Sequence, residues 1–382
     1  MSSMEAKVDQ LLIYHRMDPS NVALTCDLLD EIVLLGQYEK AYNLIDQLPA
    51  EAGNAIGILF RKAQIGIVTG RYSESIQILE KLISESNEGI ALWHDLAFAK
   101  LCISQIDSAI QILNTAESKF GWNIDLTIAL SRAALLQSNY PQALMLINQV
   151  LDIDNGHATA LGVRALILLD SDDLSDASKA ASDSLLIDPN QHEALIVAGT
   201  LALWEQQSEH ALNLFNRAIT KFPGSGRALS GLGQSLMLIN ELAQASHTLQ
   251  NAVIAMPNHI GTWHALAWAQ LLQSDIDSAE GCYIKAYEID RNFADTHGGL
   301  ALIYALRGQK DIAEQSLKRA FKLNSNCATA LYAKSILMSD EGNEIEAERL
   351  IANLILSSPA LKNIKPSDFA SNLRRKIQPN KV

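Results

Sequence analysis

Small apolar residues recur at one fixed interval along this chain. One position of a 34-residue lattice is occupied ten times in succession by alanine or serine, and Ser75 is the single serine. The alanines are Ala41, Ala109, Ala143, Ala177, Ala211, Ala245, Ala279, Ala313 and Ala347. Counted from Val22, the ten segments share this phase without an inserted or deleted residue. Such an interval, with two helical patterns inside it, predicts stacked helix-turn-helix units.

A second row of small residues lies twelve positions before the first. Alanine, glycine or serine occupies it in nine of the ten segments, and Leu29 is the exception. Two antiparallel helices approach to about 8–10 Å only where neither carries a bulky side chain. Larger residues such as Leu79, Phe215 and Leu249 stand four positions after the first row and fill the space beside the crossing. We therefore assign both rows to the core and give them no ligand role.

Turn-forming residues punctuate the same lattice. The position that ends the first helix of each unit holds Gly36, Gly70, Ser104, Ser138, Asp172, Asn240, Ser274, Gly308 and Gly342. These residue types favour the backbone of a tight turn. Between units stand Pro189, Pro223, Pro257 and Pro359, where proline can open a helix but cannot continue one.

Two units carry a recognisable set of residues. They are Trp263, Leu266, Ala267, Ala279, Tyr283 and Ala286, and then His297, Leu300, Ala301, Tyr304, Gly308, Ala313 and Ala320. With this set, residues 22–361 resemble the tetratricopeptide repeat proteins. The resemblance implies an all-α fold, a right-handed superhelix (α-solenoid) of about ten helix-turn-helix repeats. Such arrays display surface to partners and seldom carry chemistry themselves.

The lattice divides the chain into three parts. We expect residues 1–21 to form an N-terminal helix, equivalent to half a repeat. Ten repeats of 34 residues follow over 22–361, and residues 362–382 form a C-terminal capping helix and a basic tail.

The C-terminal part shows its own helical stripe. Ser367 can cap a helix that runs to about Ile377, with Phe369, Leu373 and Ile377 on one face. A repeat array needs a terminal element to cover its last open interface. We interpret this helix as that cap, and docking to a partner stays the alternative.

Charge is distributed unevenly. The whole chain carries −13, whereas residues 362–382 hold six basic residues against Asp368. The repeats are therefore strongly acidic, which disfavours a phosphate backbone and indicates no nucleic-acid partner. An acidic body favours instead a protein or peptide with basic flanks.

Motifs of catalysis were not found in the sequence. It contains no HExxH, GxxxxGK[ST], GxGxxG or GxSxG pattern, and its four cysteines lack CxxC spacing. His259 and His264 straddle a turn without a further ligand in pattern, so we assign no metal. No run of 18 apolar residues occurs, and the first residues lack the pattern of a signal peptide. We expect no enzyme, no cofactor, no transmembrane segment and a cytoplasmic location.

The resemblance implies a concave groove lined by the first helices of the repeats. The charged clamp of chaperone-binding repeats and the asparagine ladder of sugar transferases are both missing from the corresponding positions. Groove positions are instead largely apolar, and exposed apolar surface marks interaction sites. We predict apolar contacts from Phe98, Ile128, Leu166, Ile196, Trp268 and Leu302, with polar brackets from His94, Arg132, Gln234 and His264.

These features favour a non-enzymatic interaction scaffold or adaptor. It would bind a partner protein or peptide in its groove, in the assembly of a secretion, envelope or polysaccharide-type complex. One alternative is a regulatory or substrate-recruiting arm of an enzyme, such as a glycosyltransferase, supplied by another chain. A self-associating structural scaffold is the third possibility.

Overall fold

The computed structural model describes residues 3–85, 89–357 and 373–378, and these residues form α-helices joined by short turns, with no strand among them. The helices are α1 Ser3–Met17, α2 Val22–Leu34, α3 Tyr38–Asp46, α4 Ala50–Gly53, α5 Ile56–Val68, α6 Tyr72–Glu85, α7 Ile90–Cys102, α8 Ile106–Phe120, α9 Ile124–Leu136, α10 Tyr140–Ile153, α11 Ala158–Asp170, α12 Leu174–Ile187, α13 His192–Trp204, α14 Ser208–Lys221, α15 Gly226–Leu238, α16 Leu242–Ala255, α17 Ile260–Leu271, α18 Ile276–Ile289, α19 Ala294–Leu306, α20 Lys310–Leu323, α21 Ala328–Asp340 and α22 Glu344–Ser357. A short helix, α23, covers 373–377. None of the described helices has the length and apolar character needed to cross a membrane.

The helices follow the 34-residue lattice. The first helices of the pairs begin at Val22, Ile56, Ile90, Ile124, Ala158, His192, Gly226, Ile260, Ala294 and Ala328, which are the residues that open the ten segments. We call the pairs repeats 1 to 10 in chain order. Repeat 1 departs from the rule, because its second helix α3 is short and the small helix α4 follows it.

A left-handed residue ends the first helix of every repeat. All ten have φ between 58° and 83°, including the nine predicted turn residues and Gln206, which the sequence did not mark. After each one, an amide donates to the carbonyl five residues earlier, as Gln37 does to Ile32 at 3.1 Å and Asp275 to Gln270 at 3.0 Å. This is the Schellman ending of a helix, and it fixes the sharp turn into the second helix.

Close helix crossings explain the two rows of small residues. Ala279 and Ala301 are fully buried, as are most members of the rows. At Gly299 an added Cβ would lie 2.0 Å from the Tyr283 ring, and at Gly233 it would lie 2.5 Å from Cγ of Leu249. The large residue beside each crossing therefore occupies the space that a side chain on the opposite helix would need.

The helices group into two compact units. Unit 1 comprises Met1–Leu201 with Asn213–Ala228, and unit 2 comprises Ala202–Leu212 with Leu229–Val382. In unit 1, α1 packs Val8 into the same apolar cluster as Leu28 and Ile32 of α2. Helix α1 thereby packs against the first helix of repeat 1.

The predicted capping helix is described only in its second half. Residues 367–372 lie outside the described part of the chain, whereas 373–377 are helical. Ile377 is buried in the apolar cluster of unit 2 that also contains Ile351 of the last repeat. Lys376 and Gln378 form hydrogen bonds with Asn240 and with the Leu306 carbonyl, which belong to earlier repeats.

Candidate functional site

A cavity of about 380 Å³ lies within unit 1. The residues that line it are Gln64, Ile67, Val68, His94, Asp95, Phe98, Asp125, Ile128, Arg132, Thr159 and Phe222. All but the last belong to the first helices of repeats 2 to 5, and Phe222 follows α14 in the turn after repeat 6. We call this space the unit-1 cavity. Its volume falls in the range of about 300–1,000 Å³ that is usual for ligand pockets.

The turn after α14 closes one side of this cavity. The Phe222 ring meets the Phe98 ring edge to face, with centroids 6.0 Å apart. The amide of Gly224 donates to the Val68 carbonyl at 2.9 Å, and the hydroxyl of Tyr38 donates to the Lys221 carbonyl at 2.9 Å. The cavity is therefore bounded partly by a segment far along the chain rather than by the first helices alone.

Glycine is required where this turn meets repeat 2. An added Cβ at Gly224 would lie 2.5 Å from the backbone nitrogen of Gly70. Tyr72, from the same repeat, donates its hydroxyl to the Gly224 carbonyl at 3.2 Å. These hydrogen bonds hold the turn against repeat 2, and Phe222 thereby forms one wall of the cavity.

A buried ion pair stands beside the cavity. Arg132 donates from Nη2 and Nε to Oε1 of Glu193, at 2.5 and 2.9 Å, and Gln191 donates to Oε2 at 2.6 Å. Burial pushes the pKa of Glu193 upward, but Arg132, together with His192 and these hydrogen bonds, outweighs burial and lowers it to about 2. The guanidinium also lies 5.4 Å from the centre of the Phe98 ring. Arg132 is thus already neutralised.

Asp95 is the acidic centre of the lining. One carboxylate oxygen lies 2.9 Å from Nδ1 of His94, and the other accepts from Nε2 of Gln64 at 3.0 Å. The His94 ring stacks parallel to Phe98, with centroids 6.3 Å apart. Asp125 adds a second carboxylate, and its side chain is exposed. Since Arg132 is paired with Glu193, these carboxylates give the lining a negative balance.

The predicted contacts of unit 1 separate into two groups. His94, Phe98, Ile128 and Arg132 line the cavity together. Ile128 is nevertheless only 2% exposed, so it offers a partner little surface. Leu166 and Ile196 are buried and are not among the lining residues. Contact of Leu166 and Ile196 with a partner stays a prediction, and it would require neighbouring repeats to move apart.

The predicted contacts of unit 2 lie mostly in packed surroundings. Leu302 is completely buried, and the half-buried Trp268 ring lies 6.5 Å from the Tyr332 ring. Nε2 of His264 lies 2.9 Å from the hydroxyl oxygen of Thr296, and Gln234 donates to the carbonyl of its own helix at Ser230. Burial lowers the pKa of His264 to about 4, so its ring is neutral near pH 7. In this arrangement Leu302 has no surface for a partner.

The thiols are poor nucleophiles. Burial raises the pKa of Cys102, of Cys282 and of Cys327 to about 12 each. A protonated thiol is neither a nucleophile nor a metal ligand. Within residues 3–85, 89–357 and 373–378, no group of three or more His, Cys, Asp or Glu side chains could hold a metal ion.

Sequence reasoning missed several lining residues. Four of them are polar residues of the first helices, and this polarity on a predicted groove helix could have indicated contact with a ligand: Gln64, Asp95, Asp125 and Thr159. Phe222 gave none, because its contact with Phe98 joins distant parts of the chain.

Known proteins agree with this fold. The tetratricopeptide repeat family model matches residues 294–327, which are repeat 9. No curated protein matches the sequence. A monomeric mutant of IFIT1 with m7Gppp-AAAA is 14% identical, with a TM-score of 0.51 over 94% of this chain and 90% of that chain. At this identity the likeness concerns the fold alone.

Two further solved structures are similar over different shares of the chain. The APC/C hetero-tetramer Cut9–Hcn1 is 14% identical, with a TM-score of 0.47, 97% of this chain covered and 93% of that chain. YrrB, described as a TPR protein with an unusual peptide-binding site, is 20% identical, with a TM-score of 0.39, 49% of this chain covered and 97% of that chain. The family match and the helix pairs confirm the all-α tetratricopeptide fold.

Proposed function

Because the chain is a tetratricopeptide repeat protein, we propose that it is a non-enzymatic interaction scaffold whose unit-1 cavity receives a basic side chain of a partner protein. The observation that carries the proposal is the lining itself. The carboxylates of Asp95 and Asp125 stand there with the rings of Phe98 and Phe222. A lysine or arginine is attracted by opposite charge and by the faces of aromatic rings.

The surroundings leave Asp95 able to accept a further donor. A carboxylate has about four acceptor sites, and His94 and Gln64 engage one on each oxygen. Arg132 does not compete for Asp95, because Glu193 holds it. The net charge of −13 adds long-range attraction for a basic partner segment and speeds its encounter with the chain.

The test begins by capturing the partner. A photo-crosslinking amino acid at Asp125, which is exposed beside the cavity, should trap the partner segment for mass spectrometry. Binding of the identified segment is then measured with Asp95→Asn and Phe98→Ala, and each change should weaken it by about tenfold or more. Asp183→Asn makes the same charge change on an exposed position of α12 and should leave affinity within about twofold.

Two outcomes would contradict the proposal. One is a partner segment whose basic residues can all be replaced by alanine without loss of affinity. The other is equal weakening by Asp95→Asn and Asp183→Asn, because a local site distinguishes them whereas general attraction does not.

The kind of assembly is a further proposal. We propose a role in a secretion, envelope or polysaccharide-type complex in the cytoplasm. The acidic net charge of −13 favours a protein partner over a nucleic acid. Identification of the cross-linked chain decides between this role and the two alternatives. A transferase would indicate the regulatory arm of an enzyme, and a second copy would indicate a self-associating scaffold.

A further inference from the structure

Residues 373–378, which we call the C-terminal segment, are held against unit 2 by apolar contacts. Ile377 is 1% exposed within the apolar cluster that includes Leu302 and Leu306, and Leu373 packs against the same cluster. These two residues are four positions apart on α23, so one face of this helix is buried.

Hydrogen bonds connect the same segment to three further repeats. Asn240 and Ser274 are the left-handed turn residues of repeats 7 and 8. Lys376 donates from Nζ to Asn240 at 2.5 Å, and the Lys376 carbonyl accepts from the hydroxyl of Ser274 at 3.0 Å. Gln378 donates to the Leu306 carbonyl of repeat 9 at 2.7 Å.

A charge pair adds the last repeat. Arg374 lies 2.6 Å from the carboxylate of Asp340 at the end of α21. A helix that merely covered the open end of the array would need contacts with repeat 10 only. The contacts with repeats 7, 8 and 9 are therefore those of a ligand lying along a surface.

The hydrogen bonding between this segment and unit 2 is incomplete. The hydroxyl of Tyr332 and Oε1 of Gln378 are buried, and neither has a hydrogen-bond partner among the described residues. A buried polar atom without a partner disfavours the arrangement that contains it. The missing hydrogen bonds at these two buried atoms make the segment exchangeable.

We propose that repeats 7 to 10 form a second binding site and that the C-terminal segment is its built-in ligand. The site would take from a partner protein a short basic helix with apolar residues at i and i+4, as in Leu373-Arg374-Arg375-Lys376-Ile377. Such a helix docks through its apolar face and bonds its basic residues to Asp340 and Asn240. This proposal is independent of the unit-1 cavity.

The test uses the full chain with its own segment dislodged. Ile377→Asp places a charge in the apolar cluster, whereas Arg374→Asp with Lys376→Asp removes the side-chain contacts with Asp340 and Asn240 without touching the core. The probe is a fluorescent synthetic peptide of residues 367–382, followed by anisotropy. Both variants should bind it at least about tenfold more tightly than the unchanged chain, in which the site is occupied.

Matched peptides and variants control the result. A scrambled peptide of equal charge should bind at least about tenfold more weakly, because the spacing of the apolar residues is lost. Adding Asp340→Arg to the Ile377→Asp chain should also weaken binding, and a peptide with Arg374→Asp should restore it.

Several results would overturn the proposal. These are equal binding of the scrambled peptide, or no binding to either dislodged variant. Loss of the helical circular dichroism signal in both variants would make the segment a structural cap. A concentration-dependent dimer of the unchanged chain, abolished by the same substitutions, would make the natural occupant a second copy.

Discussion

The ion pair between Arg132 and Glu193 offers a quantitative test of how unit 1 is held together. Arg132 lies on α9 of repeat 4 and Glu193 on α13 of repeat 6, so the pair spans repeat 5. Their side chains are only 17% and 12% exposed. Removing one partner of a buried pair leaves an uncompensated charge and destabilises by about 3–5 kcal/mol.

The pKa of Glu193 gives a second estimate of this energy. Its fall from 4.5 to about 2 corresponds to about 3 kcal/mol of stability at neutral pH. Because the folded pKa lies below the unfolded one, this stabilisation is fully present above about pH 4.5. It is lost as the pH falls toward 2. Both estimates therefore predict that Arg132→Met lowers the free energy of unfolding by about 3 kcal/mol at pH 7.

The assay must resolve individual repeats, because long arrays do not unfold in a single step. Hydrogen exchange followed by mass spectrometry should show faster exchange in both α9 and α13 of the Arg132→Met variant. The matched control is Lys285→Met, whose partner Glu288 forms an exposed pair, with both side chains more than half exposed. That change should cost less than about 1 kcal/mol. Equal effects of the two substitutions would refute the structural role of the buried pair.

Two other predictions concern packing and protonation in unit 2. Gly233→Ala should destabilise by about 1–3 kcal/mol, because its Cβ would lie 2.5 Å from Leu249. Gly281→Ala, within α18 and with no neighbouring atom within 4 Å, should stabilise by about 0.5–1 kcal/mol. Thermal unfolding of both variants checks this pair. The His264 ring should stay neutral down to about pH 4. Its lowered folded pKa means that stability falls as the pH drops from about 6.5 toward 4, and a normal pKa in an NMR titration of the ring would contradict this prediction.

Local rules explain the part of the fold that the sequence predicts well. The first residue of each first helix follows from the lattice, because turn residues and small residues act within one repeat. Gln206 shows the limit of this reasoning. It adopts φ of 59° although glutamine has no special preference for that region. Packing of its repeat imposes the turn, so composition alone did not indicate it.

The site was harder to predict, because its residues depend on contacts between repeats. The Trp268 ring of repeat 8 reaches the Tyr332 ring of repeat 10, so side chains two repeats apart are in contact. Leu302 of the intervening repeat is then fully buried. The sequence placed all three on first helices but could not show how closely these helices approach. The small rotation between neighbouring repeats sets this approach and accumulates along the array.

Each unit brings a distant segment back to its own turns, and the manner of attachment determines what that segment can do. In unit 1 the turn at 221–224 continues into helices on both sides, and Gly224 fits against Gly70 through its backbone. It can only shape a permanent cavity. In unit 2 the segment at 373–378 is held mainly by side chains, with Leu373 and Ile377 against the apolar cluster and Arg374 and Lys376 bonded to Asp340 and Asn240. Release costs a few side-chain contacts.

Covalent attachment of residues 373–378 to the same chain sets the affinity that a partner must have for the second site. A ligand joined covalently to the protein that binds it has an effective concentration of roughly a millimolar. If the segment alone bound with a Kd of about 10 µM, a competitor would bind about a hundredfold more weakly to the intact chain than to the dislodged variants. A partner whose helix has no higher affinity for the second site than the segment itself is therefore excluded from it. One that also bonds to the Tyr332 hydroxyl, which has no hydrogen-bond partner within the described part of the chain, gains a hydrogen bond that residues 373–378 do not make. The built-in ligand thus sets a minimum affinity below which a partner cannot occupy the second site.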